Sequence, residues 1–185
     1  MVTENLARAF ASTRDVLANM NDVDLDAPTP CASWTVRDLL NHIVGGAHWF
    51  GASTAAGESI TAEQDWAKGD VLASFDEGVA GAIAAFDAPG AQERIIKLPF
   101  GDFPGAIFMG LATTDTFTHG WDLAKATGQS TDLDPDFAEQ LLELAPLTVP
   151  DQFRGDEPMP FGPAKEAPAG SAAADRLAAF MGRTV

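Results

Sequence analysis

The chain has 185 residues, 46% hydrophobic and 21% charged, which is enough apolar material for a folded core and a length that predicts one domain. Asp and Glu outnumber Lys and Arg 27 to 11, for a formal charge of −16 with no basic patch, which excludes nucleic acid as a partner and disfavours anionic membranes. The single Cys31 leaves no internal disulfide, "MVTENLARAF" lacks a signal-peptide pattern, and no run of about 18 apolar residues exists to span a membrane, so a cytoplasmic protein is expected.

Residues 3–20 read as an amphipathic helix, with Leu6, Ala9, Phe10, Thr13, Val16, Leu17 and Met20 at helical spacing. The run "NDVDLDAPTP" ends it. In "CASWTVRDLL", Thr35 and Asp38 form a capping-box pattern, with Trp34 and Leu39 placed for a hydrophobic staple. The stripe of this second helix is Val36, Leu39, Leu40, Ile43, Ala47 and Phe50, with Gly51 as its expected stop. Trp66 is the large anchor of the polar stretch that follows. Leu72, Phe75, Val79, Ile83 and Phe86 mark a third helix, closed by "DAPG".

"RIIKLPFGDFPG" allows a short edge strand or small hairpin. A fourth helix is expected from about Ala106 to Thr127, ended by Gly128. Asp134 caps a fifth with Pro135 in its first turn, and Ser171 caps a short last helix carrying Leu177 and Phe180. Between them, 148–170 is Pro- and Gly-rich and reads as an irregular segment packing over the helices. Long helices with at most one small hairpin predict an all-α bundle spanning 1–185 as a single domain.

The fourth helix poses the chemical question. Asp115, His119 and Asp122 continue the apolar stripe of Phe108, Leu111 and Ala112, while Phe117, Trp121 and Ala124 line the opposite side. A helix apolar all round is buried, and ionisable groups there must be paired or bound to metal. The spacing leaves two readings open: a structural network in which Asp115 or Asp122 hydrogen-bonds His119, or Asp115 and His119 as metal ligands one turn apart. A metal needs a third ligand. His42 lies on the flank of the second helix's stripe and can reach an inter-helix pocket, whereas His48 points to the surface or a loop. Gly45 and Gly46, each costing about 1 kcal/mol of helix stability relative to Ala, serve either tight packing or close approach of a ligand. Asp122 could also pair with Arg37 or Lys125. Trp121 reads as core and Cys31 as a structural thiol.

"CASWTVRDLLNHIVGGAHWF", "TTDTFTHGWDLAKATG" and "DRLAAFMGR" together resemble the actinobacterial DinB/YfiT-like metal-binding proteins, relatives of the metal-binding domain of mycothiol-dependent maleylpyruvate isomerase. The resemblance spans residues 1–183 and implies a DinB/YfiT-like four-helix bundle. It also implies a divalent metal on His42, Asp115 and His119, with Asp115 standing where the isomerase has Glu. Three protein ligands with an open position is the catalytic zinc pattern, and two imidazoles with a carboxylate also suit Ni or Fe. The resemblance further implies mycothiol as a thiol cosubstrate, and an S-transferase or isomerase in which the metal activates a thiolate toward a small electrophile. Asp122 would then orient a ligand imidazole or relay a proton. The competing expectation is a non-catalytic small-molecule-binding or stress-related bundle with a structural metal or none. A homodimer is left open.

Overall fold

The computed structural model describes residues 3–61, 64–149, 154–155 and 162–185. In chain order these form α1 (Glu4–Ala18), α2 (Val36–Ala56), a 3-10 turn (Trp66–Lys68), α3 (Val71–Asp87), β1 (Ile95–Leu98), β2 (Gly101–Pro104), α4 (Gly105–Ala126), α5 (Pro135–Thr148) and α6 (Ala173–Phe180). α1 packs on α4 and α3, and α2 packs on the same two, so the four long helices close a ring with α1 diagonal to α2. The chain is therefore an all-α, DinB-like four-helix bundle. Its one sheet among the described residues is the antiparallel β1–β2 hairpin, which pairs Ile96 with Phe103.

The bundle centre is filled by Leu6, Phe10, Leu39, Phe50, Phe75, Phe86 and Phe108, all nearly inaccessible. Each such side chain stabilises the fold by about 1.5–3 kcal/mol. A second core lies on the outer side of α4, where Phe117 and Trp121 meet Phe137 and Leu141 of α5 and Leu177 of α6. Two cores on opposite sides explain why α4 is apolar around its circumference.

Side-chain caps start α2 and α3, the latter through Asp70, whose carboxylate accepts from the Ala73 amide. The Thr35–Asp38 capping box forms: the Thr35 hydroxyl accepts from the Asp38 amide and the Asp38 carboxylate accepts from the Thr35 amide. α2 does not stop at Gly51. It runs on to Ala56 and ends at Gly57, with φ at 79°. A Cβ on Gly51 would sit 2.8 Å from the Ala82 amide nitrogen of α3, so Gly51 is there for helix–helix contact. Asp134 precedes α5 in a left-handed conformation, but its carboxylate goes to Arg8 on α1 and does not cap the helix. α6 is preceded by Ala172, and the Ser171 hydroxyl donates instead to the Pro168 carbonyl.

Of the irregular segment expected at 148–170, Val149 is buried in the second core and 162–170 forms no helix or strand. The Lys165 amide donates to the Ala179 carbonyl, which lays that stretch beside α6. Residues 150–153 and 156–161 lie outside the described residues. No helix among the described residues is long and apolar enough to cross a membrane.

Candidate metal centre

Where α2 packs against α4, His42 meets Asp115 and His119, and one donor atom from each lies within 4.8 Å of the others. His42 Nε2 is 3.4 and 3.3 Å from the two Asp115 carboxylate oxygens. His119 Nε2 is 3.5 Å from Asp115 Oδ1. These separations are long for N–H···O hydrogen bonds, which cluster at about 2.9–3.0 Å. Two donors bound to one zinc at about 2.0–2.1 Å with a tetrahedral angle stand about 3.3–3.4 Å apart, so the spacing fits a shared cation. The donor set, two imidazoles and a carboxylate, fits as well.

His119 is the buried pivot of the group, its side chain 11% exposed against 33% for Asp115. Its Nδ1 lies 3.0 Å from Asp122 Oδ2, a normal hydrogen-bond length. An Nδ1–H donated to a carboxylate would leave the Nε2 lone pair for a cation shared with Asp115 and His42, the arrangement that fixes a metal-ligating imidazole. Asp122 is itself fully buried, and its charge is met by Arg183, whose Nε and Nη2 donate to the two carboxylate oxygens at 3.1 and 2.8 Å. The Cys31 thiol donates to the same carboxylate at 3.1 Å. Trp34 closes the site from the α2 entry, 5.6 Å from the His119 ring and 4.9 Å from the His42 ring.

Charge pairing outweighs burial in this cluster. Burial pushes the Asp115 carboxyl up, but the His42 and His119 imidazoles override it and hold the group well below the usual carboxylate range. Burial pushes His119 down, yet Asp115, Asp122 and Cys31 together raise it well above its ordinary value. The negative field that holds a proton there is the field that would hold a metal. Asp122 is brought down to about 2: burial raises it, and His119 and Arg183 outweigh that.

Cys31, His119 and Asp122 form a second cluster of potential ligand atoms. The Arg183 guanidinium lies 3.5 Å from Cys31 Sγ as well as on Asp122, which puts a positive charge where that ion would sit. The first cluster is therefore the candidate centre.

Arg183 is the residue that sequence reasoning missed. Neither Arg37 nor Lys125 reaches Asp122: Arg37 lies 3.7 Å from Asp65, and Lys125 sits over the Trp121 ring at 5.9 Å. The signal was present in "DRLAAFMGR", but pairing Asp122 with a residue so distant in sequence requires the α4–α6 contact. Cys31 also has more partners than its sequence neighbours suggest. His48 lies outside the centre, donating from Nε2 to the Ser74 carbonyl at 2.9 Å and stacking on Trp66. Trp121 is core, 1% exposed, with its indole N–H on Asp175.

A groove of about 460 Å³ runs from His42 along α2 past Gly45, Gly46, Trp49 and Trp66. A Cβ on Gly45 would lie 3.2 Å from Trp66 Nε1, so this glycine lets the indole lie against the helix. Another groove, of about 490 Å³ between α1 and the α4–α5 turn, is lined by Arg8, Asp15 and Asp134 and is separate from the histidines.

The chain belongs to the family described as the mycothiol maleylpyruvate isomerase N-terminal domain, whose model matches residues 6–124. His42, Asp115, His119 and Asp122 all fall inside the match, whereas Arg183 lies beyond it. Two uncharacterized proteins of Mycobacterium tuberculosis, MT0763 of strain CDC 1551 / Oshkosh and Rv0738 of strain ATCC 25618 / H37Rv, are each 44% identical over 185 residues, covering 100% of this chain and 97% of the relative. No solved structure matches the chain.

Proposed function

We propose that the protein is a metal-dependent S-transferase or isomerase that uses a low-molecular-weight thiol of the mycothiol type. The observation that carries this reading is the convergence of His42, Asp115 and His119 at spacings suited to one divalent cation. A zinc ion held there would supply Lewis acidity that keeps a thiol deprotonated near neutral pH.

The chain's own residues do the rest. His42 and Asp115 are about one-third exposed, so the centre can be reached from outside. Asp122 holds the His119 ring and its tautomer through Nδ1. Trp34 covers both imidazoles and limits water on that side. The groove past Gly45 and Gly46 offers room beside His42 for the thiol and its electrophilic partner, with Trp49 and Trp66 as apolar walls.

The test is metal analysis of untagged protein, followed by a thiol-transfer screen with mycothiol and several electrophiles, with and without added zinc. Stoichiometric metal with metal-dependent turnover is expected, and the same analysis identifies zinc, nickel or iron. Protein that binds no divalent metal and turns nothing over would leave the non-catalytic binding bundle as the reading.

A further inference from the structure

We infer that Arg183, in the tail after α6, is a positioning residue of the metal centre, acting on His119 through Asp122. The inference rests on the metal reading proposed above. It adds a residue outside the span that the family model matches.

The geometry is a relay from the C-terminal tail into the bundle. The Arg183 Nε and Nη2 grip both oxygens of Asp122, and Asp122 grips His119 Nδ1. Asp122 is fully buried and the Arg183 side chain is 13% exposed, so water does not replace either partner. Paired Arg–carboxylate contacts of this kind fix orientation as well as charge. The tail is shaped for the task. The Arg183 amide donates to the Ala178 carbonyl, and its Nη1 donates to the Met181 carbonyl, so the residue is held through both its backbone and its guanidinium. Gly182, with φ at 94°, makes the turn that aims Arg183 inward, and a Cβ there would lie 3.1 Å from Gly162.

The reason a metal centre would use such a residue is geometric. With Arg183 in place, Asp122 is confined to one rotamer by two elements. With Asp122 confined, the His119 ring has one orientation and Nε2 faces Asp115 and His42. Without Arg183 the carboxylate keeps only Cys31 and His119, and the ring loses its fixed backing. Losses of this kind at the hydrogen-bond partners of metal-ligating groups typically weaken metal binding about 10–100-fold.

The experiment measures zinc affinity by competition with a chelating indicator, on full-length wild type, Arg183→Gln, Arg183→Lys, Asp122→Asn and the Asp122→Asn/Arg183→Gln double variant. Arg176→Gln serves as a control, because Arg176 pairs with Glu139 on α5 and does not touch Asp122. Melting temperature is recorded for each. Arg183→Gln should weaken zinc binding about 10–100-fold, and Arg183→Lys should restore part of it, since lysine keeps the charge but not the fork. The double variant should bind zinc no worse than Asp122→Asn alone, because the arginine works through that carboxylate. Arg176→Gln should leave zinc affinity at the wild-type value.

The inference is overturned if Arg183→Gln lowers the melting temperature while zinc affinity stays at the wild-type value, which is a purely structural role. It is also overturned if the losses from Asp122→Asn and Arg183→Gln simply add. If Arg183→Gln does not fold, wild-type zinc affinity in Arg183→Lys refutes the positioning role and weakened affinity supports it. Wild-type protein that takes up none of zinc, nickel or iron fails at an earlier step, refuting the metal reading and this inference together; if it takes up nickel or iron and not zinc, the same comparisons are made with that ion.

Discussion

Replacing His119 with alanine separates a metal ligand from a structural histidine. In the folded chain the ring donates to Asp122 at 3.0 Å and faces Asp115 at 3.5 Å. Its removal costs a hydrogen bond to a charged group, about 1.5–3 kcal/mol, but Asp122 keeps Arg183 and Cys31 and is not orphaned. With a modest cavity term the loss is about 2–4 kcal/mol, against the roughly 5–15 kcal/mol that typically holds a domain. At roughly 2–4 °C per kcal/mol for a chain of this size, the melting temperature should fall by about 4–16 °C and the protein should remain folded at room temperature. Zinc binding should fall much further. A four-ligand zinc site gives about 10–16 kcal/mol, or about 2.5–4 kcal/mol per ligand, so one lost ligand means two to three orders of magnitude in affinity, at about 1.4 kcal/mol per tenfold. Thermal melts, zinc titration and thiol-transfer rates on His119→Ala and on His48→Ala provide the comparison. His48→Ala should lose its bond to Ser74 and its stack on Trp66 yet keep zinc. Wild-type zinc affinity in His119→Ala, or equal loss in His48→Ala, would show that the ligand assignment is wrong.

Two glycines on α4 should respond to alanine with opposite signs. A Cβ at Gly110 meets nothing within 4 Å, so Gly110→Ala should raise the melting temperature through about 1 kcal/mol of helix propensity. At Gly120 it would meet Thr13 Oγ1 at 2.4 Å and Thr13 Cα at 3.3 Å, so overpacking of about 1–3 kcal/mol should outweigh that gain, and calorimetry checks both. Asp134→Asn tests the Arg8 pair without changing backbone preference, because Asn also tolerates the left-handed conformation that Asp134 adopts. Hydrogen bonding to Arg8 lowers the Asp134 pKa in the folded chain, so its contribution is fully present above about pH 4 and is lost as pH falls through the lowered folded value. Wild type and Asp134→Asn should therefore differ in melting temperature at neutral pH and converge in acid. We also propose that 1–185 folds as a single domain: a single cooperative unfolding transition is expected, seen alike by tryptophan fluorescence and circular dichroism, and two separated transitions would contradict it.

The sequence by itself determined the helices and where most of them begin. Thr35 and Asp38 cap α2 because a capping box is a contact between residues three apart, complete within the local chain. The stripes of α1, α3 and α4 were legible for the same reason, since helical periodicity is local. Asp115 and His119, one turn apart on α4, could be singled out together, and His42 could be told from His48 by its place on the flank of the α2 stripe; the family resemblance implied the three as one ligand set. What stayed hidden depends on contacts between segments distant in sequence. Gly51 reads locally as a helix stop, but it is a point of close approach to α3, so α2 continues past it. Asp134 reads as a cap, but its carboxylate goes to Arg8 on α1. Ser171 reads as a cap and turns back to Pro168. Asp122 had two cationic candidates in the sequence reading, Lys125 on its own helix and Arg37 on α2, and takes neither, because the packing of α6 on α4 brings Arg183 of the tail onto it while Arg37 goes to Asp65 and Lys125 to the Trp121 ring. Local patterns report bonds that close within a few residues, as between His119 and Asp122; only the packed structure decides which distant charge meets a buried one, because a buried charge left uncompensated is costly and the Arg183 guanidinium reaches Asp122 only through the packing of α6 on α4.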